Sequence, residues 1–270
     1  MGKYDIIFGL DKSVINIVGK LLSIFRLYDS YKLRNQLKKN AELMRRRKTD
    51  RCFICGLGPS LQEIDLTEIM DDIIAVNRFT LFDSKRLINP TYFCIVDEEF
   101  FKGGSTDYLK STVADYNDSA FVLNAKFFRQ AKNMIKKTDN CYFASMWSGI
   151  FKAEKSIDFT KNLPTLGNVM VVAIALALYV GYKEIILLGA DFNSFASTSR
   201  KHCYTEDNNV KLRSLSSELF MHSFVADTHY ELRKYAEKHG VRIINATKGS
   251  LLDAYERDED IVIKPSKSFK

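Results

Sequence analysis

The sequence predicts an α/β protein: a Rossmann-like, mostly parallel sheet with helices on both faces, preceded by an N-terminal amphipathic helical extension. Three observations predict it. From residue 51 onward, short β-branched runs alternate with helical patterns. Two of these runs pass straight into polar turns containing glycine, Gly56-Leu57-Gly58-Pro59-Ser60-Leu61 and Gly189-Ala190-Asp191-Phe192. The excess charge is confined to one end. Residues 1–51 hold 13 Lys+Arg against 5 Asp+Glu, and the remaining chain holds 27 against 28, within a formal net charge of +7. A neutral body argues against a nucleic-acid groove, and the basic end suits something anionic.

The elements follow in order. With 270 residues, 46% of them apolar, the chain can bury a sizeable core. Residues 12–28 read as an amphipathic helix, with Val14, Ile17, Val18, Leu21, Phe25 and Tyr28 on one face. Lys32, Arg34, Lys38 and Lys39 follow, then Arg45-Arg46-Arg47-Lys48. An apolar face flanked by cations is how a helix lies on an anionic membrane surface. The alternative is packing on the domain or on a second copy, giving a homo-oligomer. The expected division is therefore residues 1–50 as extension and 51–270 as nucleotide-binding domain, in the cytoplasm and peripheral on the inner face of the membrane.

Strands are expected at Arg51–Gly56, Asp72–Asn77, Thr91–Asp97, Ala120–Leu123, Cys141–Ala144, Glu184–Gly189 and Val241–Asn245. Ser60-Leu61-Gln62-Glu63 has capping-box spacing and opens a short helix. Helices are expected at 126–137, Asn168–Val180 and Phe224–His239, with a short closing helix at Ser250–Glu256. The apolar run Val169–Val180 is about a dozen residues, short of the roughly 20 that span a bilayer, so it reads as a buried helix. Residues 193–220 form the longest expected loop, of the kind that covers active sites. Residues 145–166 are a second irregular stretch. Cys52, Cys55, Cys94, Cys141 and Cys203 are scattered and odd in number, which fits buried free thiols. Cys52 and Cys55 point to opposite faces of a strand, so no zinc site is expected there, and no metal or cofactor is expected elsewhere.

The candidate chemistry gathers at strand ends. In an open α/β sheet the ligand lies beyond the carboxyl ends of the strands. Gly56, Leu57, Gly58, Pro59 and Ser60 form a turn before a helix start, suited to cradle a phosphate or ribose with backbone N–H groups. Asn77 and Asp97 end two neighbouring strands, and Gly189, Asp191 and Phe192 end another. Thr165, Leu166, Gly167 and Asn168 lead into the buried helix, whose N-terminus favours an anion. His202 and His222, in or beside the long loop, are candidate general bases, and Tyr204 can donate to a leaving phosphate. His229 and His239 read as surface residues of a charged helix.

In order, GLGPSL, AVNRF, VVAIALALYVGYKEIILLGADF, MHSFVAD and GSLLDAY resemble segments of the bacterial CMP-sialic acid-dependent lipooligosaccharide sialyltransferases. They also resemble the wider 6-hydroxymethylpterin diphosphokinase-like proteins of capsule and O-antigen clusters. The resemblance covers roughly residues 51–257. It implies a metal-independent, inverting glycosyltransferase with a nucleotide-sugar donor, a CMP-sugar foremost, and a glycan acceptor. It implies that Gly56, Gly58, Pro59, Ser60 and Asn77 hold the CMP moiety, that Gly189, Asp191 and Phe192 line cytidine and ribose, and that His222 is the general base. Three departures stand out. Leu166 stands where the family has a serine, Asn193 follows Phe192 where a tyrosine is expected, and Asp97 replaces an asparagine. The last would repel an anionic sugar. The alternatives are a Mg²⁺-dependent pyrophosphoryl transferase with Asp97 and Asp191 as ligands, and a non-enzymatic nucleotide-binding regulator.

Overall fold

The computed structural model describes residue 17 and residues 27–136, 138–196, 202–204 and 214–259. The expected helix at 12–28 lies almost wholly outside these residues. Among the described residues, nine strands form one sheet: β1 Arg51–Cys55, β2 Asp72–Val76, β3 Tyr92–Ile95, β4 Ala120–Asn124, β5 Cys141–Ile150, β6 Asn162–Thr165, β7 Glu184–Leu188, β8 Arg242–Asn245 and β9 Glu256–Arg257. The spatial order is β6-β5-β4-β3-β2-β1-β7-β8-β9. Each of these neighbouring pairs is parallel. The chain steps outward from β1 to β6, returns to lay β7 on the other side of β1, and steps outward again. The strand order reverses between β1 and β7, which is where such sheets open a ligand crevice.

The central strands are apolar on both faces, as a sheet covered on both sides requires. One core layer holds Cys52, Ile54, Ile74 and Tyr92 beneath helices α4 (Val169–Val180) and α5 (Leu215–Lys238). The other holds Phe53, Cys55, Ile73 and Phe93 beneath α2 (Thr106–Asp115) and α3 (Phe128–Met134). Cys52 and Cys55 thus face opposite ways, and all five cysteines are buried free thiols. Helix α4 is apolar all round and caps cleanly. Asn168 Oδ1 accepts from the Val171 N–H, and Gly181 closes its end at φ +94. Among the described residues, no helix is long and apolar enough to cross a membrane.

Several expected boundaries move. Helix α5 begins at Leu215, nine residues before its expected start, so His222 is helical. The stretch 145–166 is not irregular throughout. β5 runs to Ile150, and Asn162–Thr165 adds β6. The closing helix at 250–256 is absent. That segment is irregular because its polar groups bond elsewhere, Ser250 Oγ donating to Ala190 O at 2.6 Å and Leu251 N to Asp191 O at 2.9 Å. The predicted 126–137 helix is a 3₁₀ turn followed by the shorter α3.

The basic segment before β1 is tied into the body. Helix α1 (Leu27–Lys39) is followed by a 3₁₀ stretch, Asn40–Arg46. Asn40 is fully buried and donates from Nδ2 to the carbonyls of Phe143 (2.8 Å) and Phe159 (2.7 Å). Lys39 Nζ donates to Asp139 O at 2.6 Å, Arg46 to Asn140 Oδ1 at 2.8 Å and Arg47 to Gly181 O at 2.5 Å. These three cations are therefore committed within the molecule.

Candidate active site

The site begins with two turns laid against each other. Beyond β1 and β7 the backbones nearly touch: Gly56 N donates to Leu188 O at 2.7 Å, and Gly58 N to Gly189 O at 2.9 Å. Asp191, 9% exposed, folds back over the first turn and accepts from Ser60 Oγ at 2.7 Å and Ser60 N at 3.3 Å. A Cβ on Gly58 would stand 1.8 Å from the Asp191 carboxylate, so only glycine lets the two turns close. This corrects the expected phosphate cradle. The N–H groups of Gly56, Gly58 and Ser60 already have acceptors, at the end of β7 and in the second turn. The helix start is a five-residue 3₁₀ turn, Pro59–Glu63, capped by Gly58 rather than Ser60.

Above the joined turns lies a cavity of about 590 Å³. Leu57, Gly58, Gly189, Asp191 and Phe192 form one part of its wall, and Asn77 and Asp97 another. Gly167 and Asn168 bring in the start of α4, and His202 and His222 also border it. The sequence thus identified strand ends that do converge. Gly56, Pro59, Ser60 and Tyr204 do not border this cavity. Tyr204 instead stacks on His202 at 5.1 Å and packs on the core beside Cys203. Thr165 and the buried Leu166 line a smaller adjoining hollow of about 210 Å³, which shares Asp97, Gly167 and Asn168 with the main one.

Charge is distributed unevenly. Asp97, Glu98, Glu99, Asp191 and Glu218 border the cavity, and among the described residues no Lys or Arg does. The positive end of α4 offsets this, since the first two N–H groups of the helix, Val169 and Met170, have no intrahelical acceptor and both residues border the cavity. Asn77 Nδ2 donates to Asp97 Oδ2 at 2.7 Å, while the buried Asn77 Oδ1 has no partner. Two residues here hold left-handed backbone, Asn77 at φ 41 and Phe192 at φ 56. For an aromatic residue that conformation is a true outlier, and such strain concentrates at functional sites.

His222 is held in one tautomer. Its Nδ1 lies 2.9 Å from the Glu218 carbonyl, which can only accept, so Nδ1 carries the proton. Nε2 then holds the lone pair, and Ser194 Oγ donates to it at 3.1 Å. The rings of Phe192 and Phe195 flank the imidazole, each at 5.0 Å. The Glu218 carboxylate lies 3.7 Å from Nδ1. His202 is anchored too, its Nδ1 3.2 Å from the Leu57 carbonyl.

His239 is exposed, as expected, but His229 is not a surface residue: it is 1% exposed and borders the cavity. The clue was present in the sequence. Glu218, His222, Val225 and His229 lie at i, i+4, i+7 and i+11, one face of a single helix, but this shows only if the helix starts before residue 224. Nothing local marked Glu98, Glu99 or Ser194 as cavity residues. Among the described residues, no group of three or more His, Cys, Asp or Glu side chains could hold a metal ion.

The profile of the family described as "6-hydroxymethylpterin diphosphokinase MptE-like" matches residues 25–195, well over half of the chain. The chain belongs to this MptE-like family. No curated protein matches it in sequence. Among solved structures, the MAf glycosyltransferase from Magnetospirillum magneticum AMB-1 is 15% identical with a TM-score of 0.50, over 86% of this chain and 39% of that one. The sialyltransferase CstII from Campylobacter jejuni in complex with CMP-3FNeuAc is 18% identical with a TM-score of 0.47, over 77% of this chain and 85% of that one. A second CST-II structure, with trisaccharide acceptor and CMP, is 19% identical with a TM-score of 0.46. These are likenesses of fold. The expected kinship with the pterin diphosphokinase-like group is family membership, and the expected Rossmann-like parallel sheet is the architecture found.

Proposed function

We propose that this MptE-like protein is a glycosyltransferase of cell-surface glycan synthesis, moving a sugar from a nucleotide-linked donor, a CMP-sugar foremost, to a glycan hydroxyl with inversion. The observation that carries this reading is the state of His222. A lone-pair nitrogen stands at the edge of the switch-point cavity with a hydroxyl, that of Ser194, already within hydrogen-bond distance. An acceptor hydroxyl placed like Ser194 Oγ would pass its proton to Nε2 as it attacks the anomeric carbon. Backbone N–H groups at the start of α4 would stabilise the departing phosphate. The carboxylates of Asp97, Glu98 and Glu99 disfavour an anion near them, so the carboxylate of an acidic donor sugar would have to point away from that side of the cavity.

Family membership favours a second reading, Mg²⁺-dependent pyrophosphoryl transfer with Asp97 and Asp191 as ligands. Against it, the Asp191 carboxylate is already engaged by Ser60. One assay separates the two. Release of free sugar or transfer product from CMP-linked donors is expected to persist in EDTA. Turnover of ATP that vanishes in EDTA, with nucleotide sugars untouched, would establish the second reading instead.

The basic N-terminal sequence supports a peripheral position on the inner face of the cytoplasmic membrane. The full chain is expected to co-sediment with anionic vesicles and to be released by raising the salt from 0.1 to 1 M, as the Debye length falls from about 10 to 3 Å. Equal sedimentation with neutral and anionic vesicles would reject membrane attachment by charge.

A further inference from the structure

Behind His222, two turns further along the same face of α5, lies a second histidine that the proposed chemistry does not use. His229 Nδ1 is 2.9 Å from the Tyr255 hydroxyl. Its ring meets Tyr255 edge-on at 5.6 Å and Phe192 edge-on at 5.9 Å. It is 1% exposed and still borders the cavity. Whichever tautomer is present, Tyr255 takes up Nδ1, and among the described residues Nε2 has no protein partner. Nε2 is not among the polar atoms sealed from solvent, so it is reachable from the cavity that His229 borders.

The surroundings define the chemistry of that something. Burial lowers the His229 pKa to about 3, so the imidazole is neutral at physiological pH. Burial likewise raises the Tyr255 pKa well above its usual value, so the phenol keeps its proton. An uncharged imidazole offers a phosphate little, and the neighbouring wall is apolar, formed by Phe192 and by Val225 one turn earlier on α5. A flat or hydroxyl-bearing group without charge fits this part of the cavity. The acidic residues Asp97, Glu98 and Glu99 give the rest of the cavity a different character.

We propose that His229, fixed by Tyr255, contacts the ligand directly and reads an uncharged hydrogen-bonding group: the edge of the nucleobase or a hydroxyl of the donor sugar. This rests on the nucleotide-donor reading above and adds to it the residue that recognises the neutral part of the donor.

Calorimetric titration tests it with three probes, CMP, ribose 5-phosphate and CMP-N-acetylneuraminate. The proteins are wild type, His229→Gln and the pair His229→Phe with Tyr255→Phe, which replaces both polar groups at once and leaves neither orphaned. If the base is read, the double variant binds CMP about tenfold more weakly, a neutral hydrogen bond's contribution. Ribose 5-phosphate binding stays unchanged, and His229→Gln keeps part of the CMP affinity. If the sugar is read, the loss appears only with the CMP-sugar. Equal affinities for all three probes in wild type and double variant would overturn the assignment. So would an equal loss for all three, which would mean a collapsed cavity. A wild-type protein that binds none of the probes would overturn the nucleotide reading itself, and this inference with it.

Discussion

Replacing His222 by alanine should lower transfer to a glycan hydroxyl by about 10²- to 10⁴-fold, the usual contribution of a general base. The affinity for CMP should change little. The distinction follows from the geometry. Nε2 faces Ser194, and Nδ1 is held by the Glu218 carbonyl within the same helix, so the ring's hydrogen bonds are to these two residues and not to the β1–β7 turns. The loss should fall on kcat and on kcat/KM together, as expected for an interaction made in the transition state. His222→Gln is the sharper variant, because an amide can keep a hydrogen bond but cannot take the proton. Single-turnover transfer alongside CMP titration would check it. A His222→Gln protein with full transfer activity would remove His222 from the mechanism, leaving His202 as the remaining candidate base.

The largest effect on stability is expected far from the cavity, at Asp72. This carboxylate is 3% exposed and is ringed by donors. Oδ2 accepts from Lys48 N at 2.7 Å, Thr49 N at 3.2 Å and Tyr182 Oη at 2.8 Å, and Oδ1 accepts from Thr91 Oγ1 at 2.6 Å. It joins the segment before β1, the start of β3 and the turn before β7 at one point. Asp72→Ala would leave several buried donors unsatisfied and should cost about 3–5 kcal/mol. For a domain of this size that lowers Tm by about 10 °C. Asp72→Asn should cost less, since the amide oxygen still accepts. Thermal melts of the two variants would check this, and an unchanged Tm for Asp72→Ala would contradict the role of this hub.

Asp72 also shows where a sequence reading stops. It sits at the amino end of its strand, away from the strand ends that border the cavity. Its four donors come from residues 48, 49, 91 and 182, which no local pattern relates. His229 was misjudged for a related reason. Its neighbours in sequence are charged, but its face of α5 turns inward beneath Tyr255 and Phe192. Asp191 was legible as a strand-end carboxylate, whereas its closure over Ser60 required the two turns to be brought together.

The strands were legible because burial on both faces demands unbroken β-branched and aromatic runs, and the glycines at their ends because turns that close need them. Helix α4 was legible because twelve apolar residues between Asn168 and Gly181 have no other stable place than the interior. The sequence by itself therefore determined seven of the strands, the parallel sense of the sheet and the strand ends that border the cavity, but not β6 and β9. The tertiary structure alone decided which polar groups are already satisfied and which remain for a ligand. Periodicity reports which side of an element is buried. Ser60 and Asp191, 131 residues apart, become partners only when the sheet order places β1 beside β7.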